Sequence, residues 1–315
     1  MIRVALDAMG GDLGPRIAFD GAMAILSRYR DVVITIYYFP DSGLELPAPH
    51  DRLTLIACSD VIDGDEEIVL SLFRRRDSTL YQSLTALAQN TSDVVVTLGN
   101  TGAMVALARH ILGVLRPKLY PALIRELYSN PLRCLVDLGA NVHCPSSMLV
   151  GFAELGAAYV EALSDEKPKV GLLNVGVESS KGSAVIRDTD RLLARKKWPD
   201  YCGYAEGTEL FDGDKNVIVC DGMVGNAVLK ASEGLLSFMM SKFKGVDGAS
   251  TLFETFYQTE RRHGACLVGV RGNLVKGHGR SDLSAMIGAI EYGIDIARAD
   301  LYSAIEARLC SEEVK

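Results

Sequence analysis

Ile2-Arg-Val-Ala-Leu-Asp-Ala-Met-Gly-Gly-Asp12 opens the chain with a short aliphatic run that stops at a glycine turn bracketed by Asp7 and Asp12. The same pattern returns along the sequence. Gly99-Asn-Thr-Gly102 follows Val94 to Leu98, and Asp137-Leu-Gly-Ala-Asn141 follows Cys134 to Val136. Asn174-Val-Gly176, with Lys181-Gly182 close behind, follows Val170 to Leu173. Asp221-Gly-Met-Val-Gly-Asn226 follows Val217 to Cys220, and Lys276-Gly-His-Gly279 follows Leu267 to Val270. Short runs without polar alternation read as strands buried on both faces of a parallel sheet. The fold class is therefore α/β. Ligands in open parallel sheets sit beyond the carboxyl ends of the strands. The turns are expected to collect there, as one large polar site in a single catalytic domain over residues 1–315.

Between these runs the periodicity predicts helices. Residues 15 to 29 place Ile17, Ala18, Gly21, Ala22, Ile25 and Leu26 on one face, behind Pro15 at a first helical position. Val32 to Phe39 and Leu53 to Ala57 read as strands, separated by a proline-rich loop at 40–49. Helices are expected over 66–75, 80–89, 104–115, 147–162, 189–196 and 227–243. A last long one follows Ser281 as N-cap, with Leu283, Met286, Ile287, Ile290, Ile294, Leu301, Ile305 and Leu309 on its stripe. The stretch 117–131 reads as a loop. Large apolar residues are dense from 235 to 257. They read as an internal helical hairpin or a dimer interface at about 227–262, or as an amphipathic membrane-contacting tip, since Lys242, Lys244, Arg261 and Arg262 flank them.

Composition excludes several classes. A net charge of −7 makes nucleic acid a poor partner, so the basic clusters Arg74-Arg-Arg76, Arg195-Lys-Lys197 and Arg261-Arg262 read as helix faces or local docking patches. Seven cysteines without a Cys-x-x-Cys pair read as reduced thiols of a cytoplasmic protein, and no metal site is indicated. The N-terminus enters a strand directly, without a signal peptide, and no apolar stretch approaches the ~20 residues a bilayer requires.

The turns themselves carry the chemistry. Gly10 and Gly11 let a ligand approach the main chain. Gly99-Asn-Thr-Gly102 precedes an apolar helix, so its exposed amides, with Asn100 and Thr101, suit an anion as well as a plain cap. No Gly-Lys-Ser/Thr follows, and the spacing is not a dinucleotide Gly-x-Gly-x-x-Gly; ATP and NAD are not indicated, and no cofactor is expected. Asn141, Asn174 and Asn226 stand at strand ends, where they serve as turn formers or as substrate donors. Lys181 in a glycine-rich loop suits a phosphate or a developing oxyanion. His278, between two glycines, suits an anion donor, a general base or a helix cap. No Gly-x-Ser-x-Gly elbow appears, and no Cys-His pair stands in a family-like context, so no covalent nucleophile is evident.

The motifs taken together, Val4-Ala-Leu-Asp-Ala-Met-Gly-Gly-Asp12, Gly99-Asn-Thr-Gly-Ala103, Leu138-Gly-Ala-Asn141, Gly171-Leu-Leu-Asn-Val-Gly176, Lys181-Gly182, Glu206-Gly207, Cys220-Asp-Gly-Met-Val-Gly-Asn226 and Val275-Lys-Gly-His-Gly279, closely resemble those of bacterial PlsX-type phosphate acyltransferases. Arg74-Arg-Arg-Asp-Ser78 also matches a basic-Asp-Ser stretch of that family. The resemblance runs in order from residue 2 to about 290.

It implies a three-layer α/β/α fold with a mainly parallel sheet, similar to phosphate acetyltransferase and isocitrate dehydrogenase. It also implies a homodimer in the cytoplasm with peripheral membrane contact, whose product feeds a glycerol-3-phosphate acyltransferase. The implied reaction moves a long fatty acyl group from acyl-carrier protein to inorganic phosphate. A short-chain acyl-CoA enzyme and a non-catalytic lipid-binding regulator are the alternatives. The 117–131 segment, Leu98, Val177 and Arg280 depart from the family pattern.

On this reading Lys181, His278, Asp221 and Asn226 are catalytic. Asp7, Gly10, Gly11, Asp12, Gly99, Asn100, Thr101, Gly102, Asn141, Asn174 and Lys276 bind substrate or phosphate. Arg74, Arg75, Arg76, Arg261 and Arg262 dock the acidic carrier protein, and the acyl chain lies along 227–257.

Overall fold

Buried aliphatic strands and capped helices alternate through a computed structural model, which describes residues 1–40, 45–64, 66, 69–129, 131–243, 264–279 and 281–313. In chain order the elements are β1 (Ile2–Asp7), α1 (Arg16–Arg28), β2 (Val32–Tyr38), β3 (Leu53–Ala57), α2 (Thr79–Ala88), β4 (Val94–Thr97) and α3 (Thr101–Ile111). Then come β5 (Ala122–Ser129), β6 (Leu132–Val136), α4 (Ser146–Leu163), β7 (Val170–Leu173) and α5 (Ala184–Arg195). These are followed by β8 (Tyr201–Ala205), α6 (Glu209–Asp212), β9 (Val217–Val219) and α7 (Gly222–Lys242). The chain closes with β10 (Ala265–Val268), β11 (Asn273–Lys276), α8 (Leu283–Arg298) and α9 (Leu301–Glu313).

These elements form two compact units. The first comprises Met1–Pro121 with Arg262–Ala307, and the second Ala122–Arg261 with Arg308–Lys315. In the first, strands lie in the order β3-β2-β1-β4-β11-β10. All pair in parallel except the β10–β11 hairpin. Val4 to Leu6, Val94 to Val96, Leu274 and Val275 are buried, as parallel strands covered on both faces must be. Helix α8 presses Met286, Ile290 and Ile294 inward, and Gly21 of α1 leaves room for the Met286 side chain. In the second unit the order is β5-β6-β9-β7-β8, parallel except for β5–β6. There Phe152, Leu155 and Tyr159 of α4 are fully buried.

Most helices begin where a polar residue accepts a first-turn amide. Ser78 accepts from Tyr81, Asn100 from Ala103, Ser183 from Ile186, Asp221 from Val224 and Asp282 from Ala285. The cap of α8 is thus Asp282, not Ser281. The long C-terminal helix is in fact two. Asp300 adopts a left-handed φ of 47°, which ends α8 although the apolar stripe continues in phase. The helix expected over 66–75 is a single 3₁₀ turn, Leu70–Arg74. Helix α7 starts at Gly222, five residues before the expected 227, and α5 starts at Ala184 rather than 189.

Two strands were not expected. β5 lies in the 117–131 segment read as a loop, and β8 lies in a stretch to which no element was assigned. The strand leading into Lys276-Gly-His-Gly279 is β11, not Leu267 to Val270, of which Leu267 and Val268 belong to its antiparallel neighbour β10. The hairpin expected over 227–262 is seen only as far as α7; residues 244–263 lie outside the described residues, and so do Arg261 and Arg262.

Candidate functional site

In the first unit the turns after β1, β4 and β11 gather at neighbouring strand ends. Asp7 closes β1 and is buried; its carboxylate accepts the Thr97 hydroxyl at 2.7 Å and the Met9 amide at 3.3 Å. Thr97 Oγ1 in turn accepts the Gly99 amide at 3.0 Å, which ties the second turn to the first. A Cβ at Gly10 would overlap the backbone of Gly99, so the two turns touch main chain to main chain. The third turn joins them through Gly277 N to Thr97 O at 2.9 Å and Asp12 N to Gly279 O at 2.8 Å. Lys276, the last residue of β11, donates its ammonium to Leu98 O at 3.1 Å and to Gly277 O. His278 is exposed, and its carbonyl accepts the Ser281 amide.

Asn100 has both ends of its amide engaged. Oδ1 caps α3 by accepting from Ala103, while Nδ2 donates to the carbonyls of Gly64 and Glu66, each at 3.0 Å. The amides of Thr101 and Gly102 lie at the start of α3, before any intrahelical acceptor exists. This end of the helix carries partial positive charge, and Lys276 adds a full one nearby. The first unit therefore brings together Asp7, Gly10, Gly11, Asp12, Gly99, Asn100, Thr101, Gly102, Lys276 and His278. What it offers chemically is a place for a small anion.

Burial raises the Asp7 carboxyl above its ordinary 3.8, while the Thr97 and Thr79 hydroxyls, the Met9 amide and Lys276 pull it partly back. A folded-state value above the unfolded one gives stability that is complete below the ordinary value and lost as pH rises through the raised one. Each unit of elevation corresponds to about 1.4 kcal/mol. Asp7→Asn is expected to remove that dependence. Urea midpoints measured from about pH 4 to about pH 7 should show wild type losing stability relative to the variant. A pH-independent difference would mean that Asp7 does not titrate in this range.

In the second unit the turns after β6, β9 and β7 carry the other candidates. Asp137, which sequence reasoning placed in a turn without a role, is their centre. Its buried Oδ1 accepts the amides of Leu123, Leu138 and Ala140 at 2.9, 2.7 and 3.2 Å. Oδ2 accepts the Asn141 backbone at 2.7 Å and the Asn141 side chain at 3.1 Å. The only sequence signal for this was an Asp directly after a buried strand. Asn141 O accepts the Gly222 amide at 2.9 Å, which fixes the start of α7. Asp221 caps that helix through Val224 at 2.8 Å. Asn226, one turn further on, is exposed.

Asn174 donates to Gly176 O at 3.0 Å and to Lys181 O at 3.4 Å, shaping the loop that presents the exposed Lys181. Asn141 and Asn174 thus brace turns, as Asn100 does. Of the docking candidates, Arg75 is held by Asp60, Glu66 and Val61 O, whereas Arg74 and Arg76 are exposed. Among the described residues no cluster of His, Cys, Asp and Glu is placed to hold a metal. No helix there is long and apolar enough to cross a membrane.

Comparison with known proteins gives this geometry its family. The family described as "Fatty acid synthesis protein" matches residues 2–304. A phosphate acyltransferase of Vibrio vulnificus (strain YJ016) is 35% identical over 329 residues, covering 98% of this chain and 96% of the relative. The chain belongs to this family. One from Polaromonas sp. (strain JS666 / ATCC BAA-500) is 33% identical over 334 residues, covering 98% and 90%. Among solved structures, a branched-chain phosphotransacylase from Enterococcus faecalis V583 superposes with a TM-score of 0.63 at 14% identity, covering 94% of this chain and 99% of that one. That likeness supports the α/β fold with its mainly parallel sheet. The chain is an acyltransferase of fatty acid and phospholipid synthesis, using phosphate and an acyl donor.

Proposed function

We propose that the chain transfers a long-chain fatty acyl group from acyl-carrier protein to inorganic phosphate, as one catalytic domain acting as a homodimer with peripheral membrane contact. The observation that carries the phosphate site is the pairing of the α3 start with the Lys276 ammonium, braced by Leu98 O. Phosphate sits against the amides of Thr101 and Gly102, close to Gly10, Gly11 and Asp12. A phosphate oxygen attacks the thioester carbonyl carbon, and the carbon–sulfur bond then breaks. The products are acyl-phosphate and the carrier thiol. His278 accepts the proton of monoanionic phosphate and returns it to the departing thiolate. Asn226 orients the carbonyl.

The test is release of carrier thiol from palmitoyl-carrier protein. Release is expected only with added phosphate, and with far less turnover of acetyl-CoA. Preference for acetyl-CoA would make this a short-chain enzyme, and no phosphate-dependent release from any donor would make it a non-catalytic binder.

Arg74 and Arg76 are proposed to guide the acidic carrier protein. Raising ionic strength from about 0.05 to about 0.5 M is expected to raise KM for the carrier-protein donor several-fold. The variant Arg74→Glu/Arg76→Glu should raise KM at low salt and lose most of the salt dependence, with kcat little changed. An unaltered salt profile in the variant would place docking elsewhere.

A further inference from the structure

The carboxyl edge of the second unit's sheet carries exposed apolar side chains beside its polar ones. Val142 after β6, Met223 after β9 and Val175 after β7 are 55, 65 and 81% exposed. Beside Val142, over the starts of α4 and α5, opens a cavity of about 390 Å³ whose apolar lining is Val142, Pro145, Leu149, Val185 and Ile186. Cavities of this order hold small ligands by apolar contact with few polar groups.

The polar members of the wall include one carboxylate, Asp221, at the mouth. Burial pushes the Cys144 thiol up to about 11, so it stays neutral at physiological pH, and it donates to Asn141 O. Asp221 accepts the Val224 amide as the α7 cap, and Ser183 accepts the Ile186 amide as the α5 cap. His143 lies exposed at the edge. The remaining lining is neutral and aliphatic.

We propose that this cavity receives the fatty acyl chain of the donor, with Val185 and Ile186 setting how long a chain is accepted. The inference rests on the acyl-transfer reading above, and it moves the chain from the 227–257 segment to the strand-end side of the second unit. The mouth lies beside Asn141 and Asp221, so a chain entering here leaves its carbonyl at the turns after β6 and β9. Each buried methylene changes binding by about fourfold, so a few extra atoms in the wall separate long donors from short ones.

Ile186→Trp and Val185→Trp test this, because both positions are solvent-accessible on the first turn of α5 and tolerate a larger side chain. Two readouts are used: kcat/KM for butyryl-, octanoyl- and palmitoyl-carrier protein, and binding of the fluorescent fatty acid cis-parinaric acid. Palmitoyl transfer is expected to fall at least about tenfold and probe affinity by a similar factor, while butyryl transfer stays within about threefold. Equal loss for every chain length would assign the cavity to the carrier arm and overturn the proposal. So would unchanged palmitoyl transfer and probe binding in both variants, or no probe binding by the wild-type protein. Should wild type bind the probe and the variants lose it, yet no donor give acyl-phosphate, the cavity assignment stands and the acyl-transfer reading fails.

Discussion

Lys276→Met is expected to lower kcat/KM for phosphate by on the order of 10²–10³-fold while leaving the fold in place. The ammonium is anchored by Leu98 O and Gly277 O at the end of β11, so it is aimed before any ligand arrives. A preorganised donor of this kind contributes about 3–4 kcal/mol to a developing charge, and water replaces it poorly. Methionine keeps the unbranched stem, and Lys276 pairs with Thr97 through backbone register that the change does not touch. Removal also deprives the buried Asp7 carboxyl of the positive neighbour that lowers its pKa, so Asp7 should hold its proton to higher pH in the variant. Initial rates against phosphate concentration, with urea midpoints alongside, check both parts. A kcat/KM within threefold of wild type would remove Lys276 from the phosphate site.

How much of this was legible follows from what each signal encodes. Glycine turns after aliphatic runs announce buried parallel strands, because both the run and the turn have local causes. The first unit's site was readable for that reason. β5 was not, since Arg125 and Glu126 break its apolar pattern. Their partners, Glu233 at 3.0 Å and the Tyr159 hydroxyl at 2.7 Å, come from distant helices. β8 was hidden by Gly203, whose φ of +82° accompanies a register shift against β7.

The division between the two C-terminal helices turns on one backbone angle at Asp300, which side-chain periodicity does not report. Within the candidate site, sequence named the asparagines but not their employment. Asn100, Asn141 and Asn174 have amide groups committed to turns, a fact about neighbours 2 to 36 positions away. Asp137 was passed over for the same reason, since four of its five donors lie in its own turn and the fifth, Leu123, lies on β5.

The late start predicted for α7 has a more specific cause, and it sets the second large effect. Gly222 and Gly225 are poor helix formers, so the first turn of α7 reads as loop. Both are needed, because the helix begins against the Asp137 turn. A Cβ at Gly225 would overlap the Asp137 carbonyl oxygen and come within 3.0 Å of the Cys220 sulfur. That carbonyl has little freedom to retreat, since the same residue's carboxylate is fixed by five N–H groups and its own amide donates to Cys220 O at 3.0 Å. Overpacking of so rigid a contact costs about 3 kcal/mol.

Gly225→Ala is therefore expected to destabilise the protein by about that amount, despite the better intrinsic helix propensity of alanine. The same change at Gly234, in the same helix with no atom within 4 Å of its would-be Cβ, should stabilise by about 0.5–1 kcal/mol. Denaturant unfolding of the two variants thus has opposite signs. Equal signs would show that the approach of α7 to the Asp137 turn is looser than described. The Gly225 variant should also lose transfer activity, because moving α7 by about 1 Å displaces Asp221 and Asn226 with it.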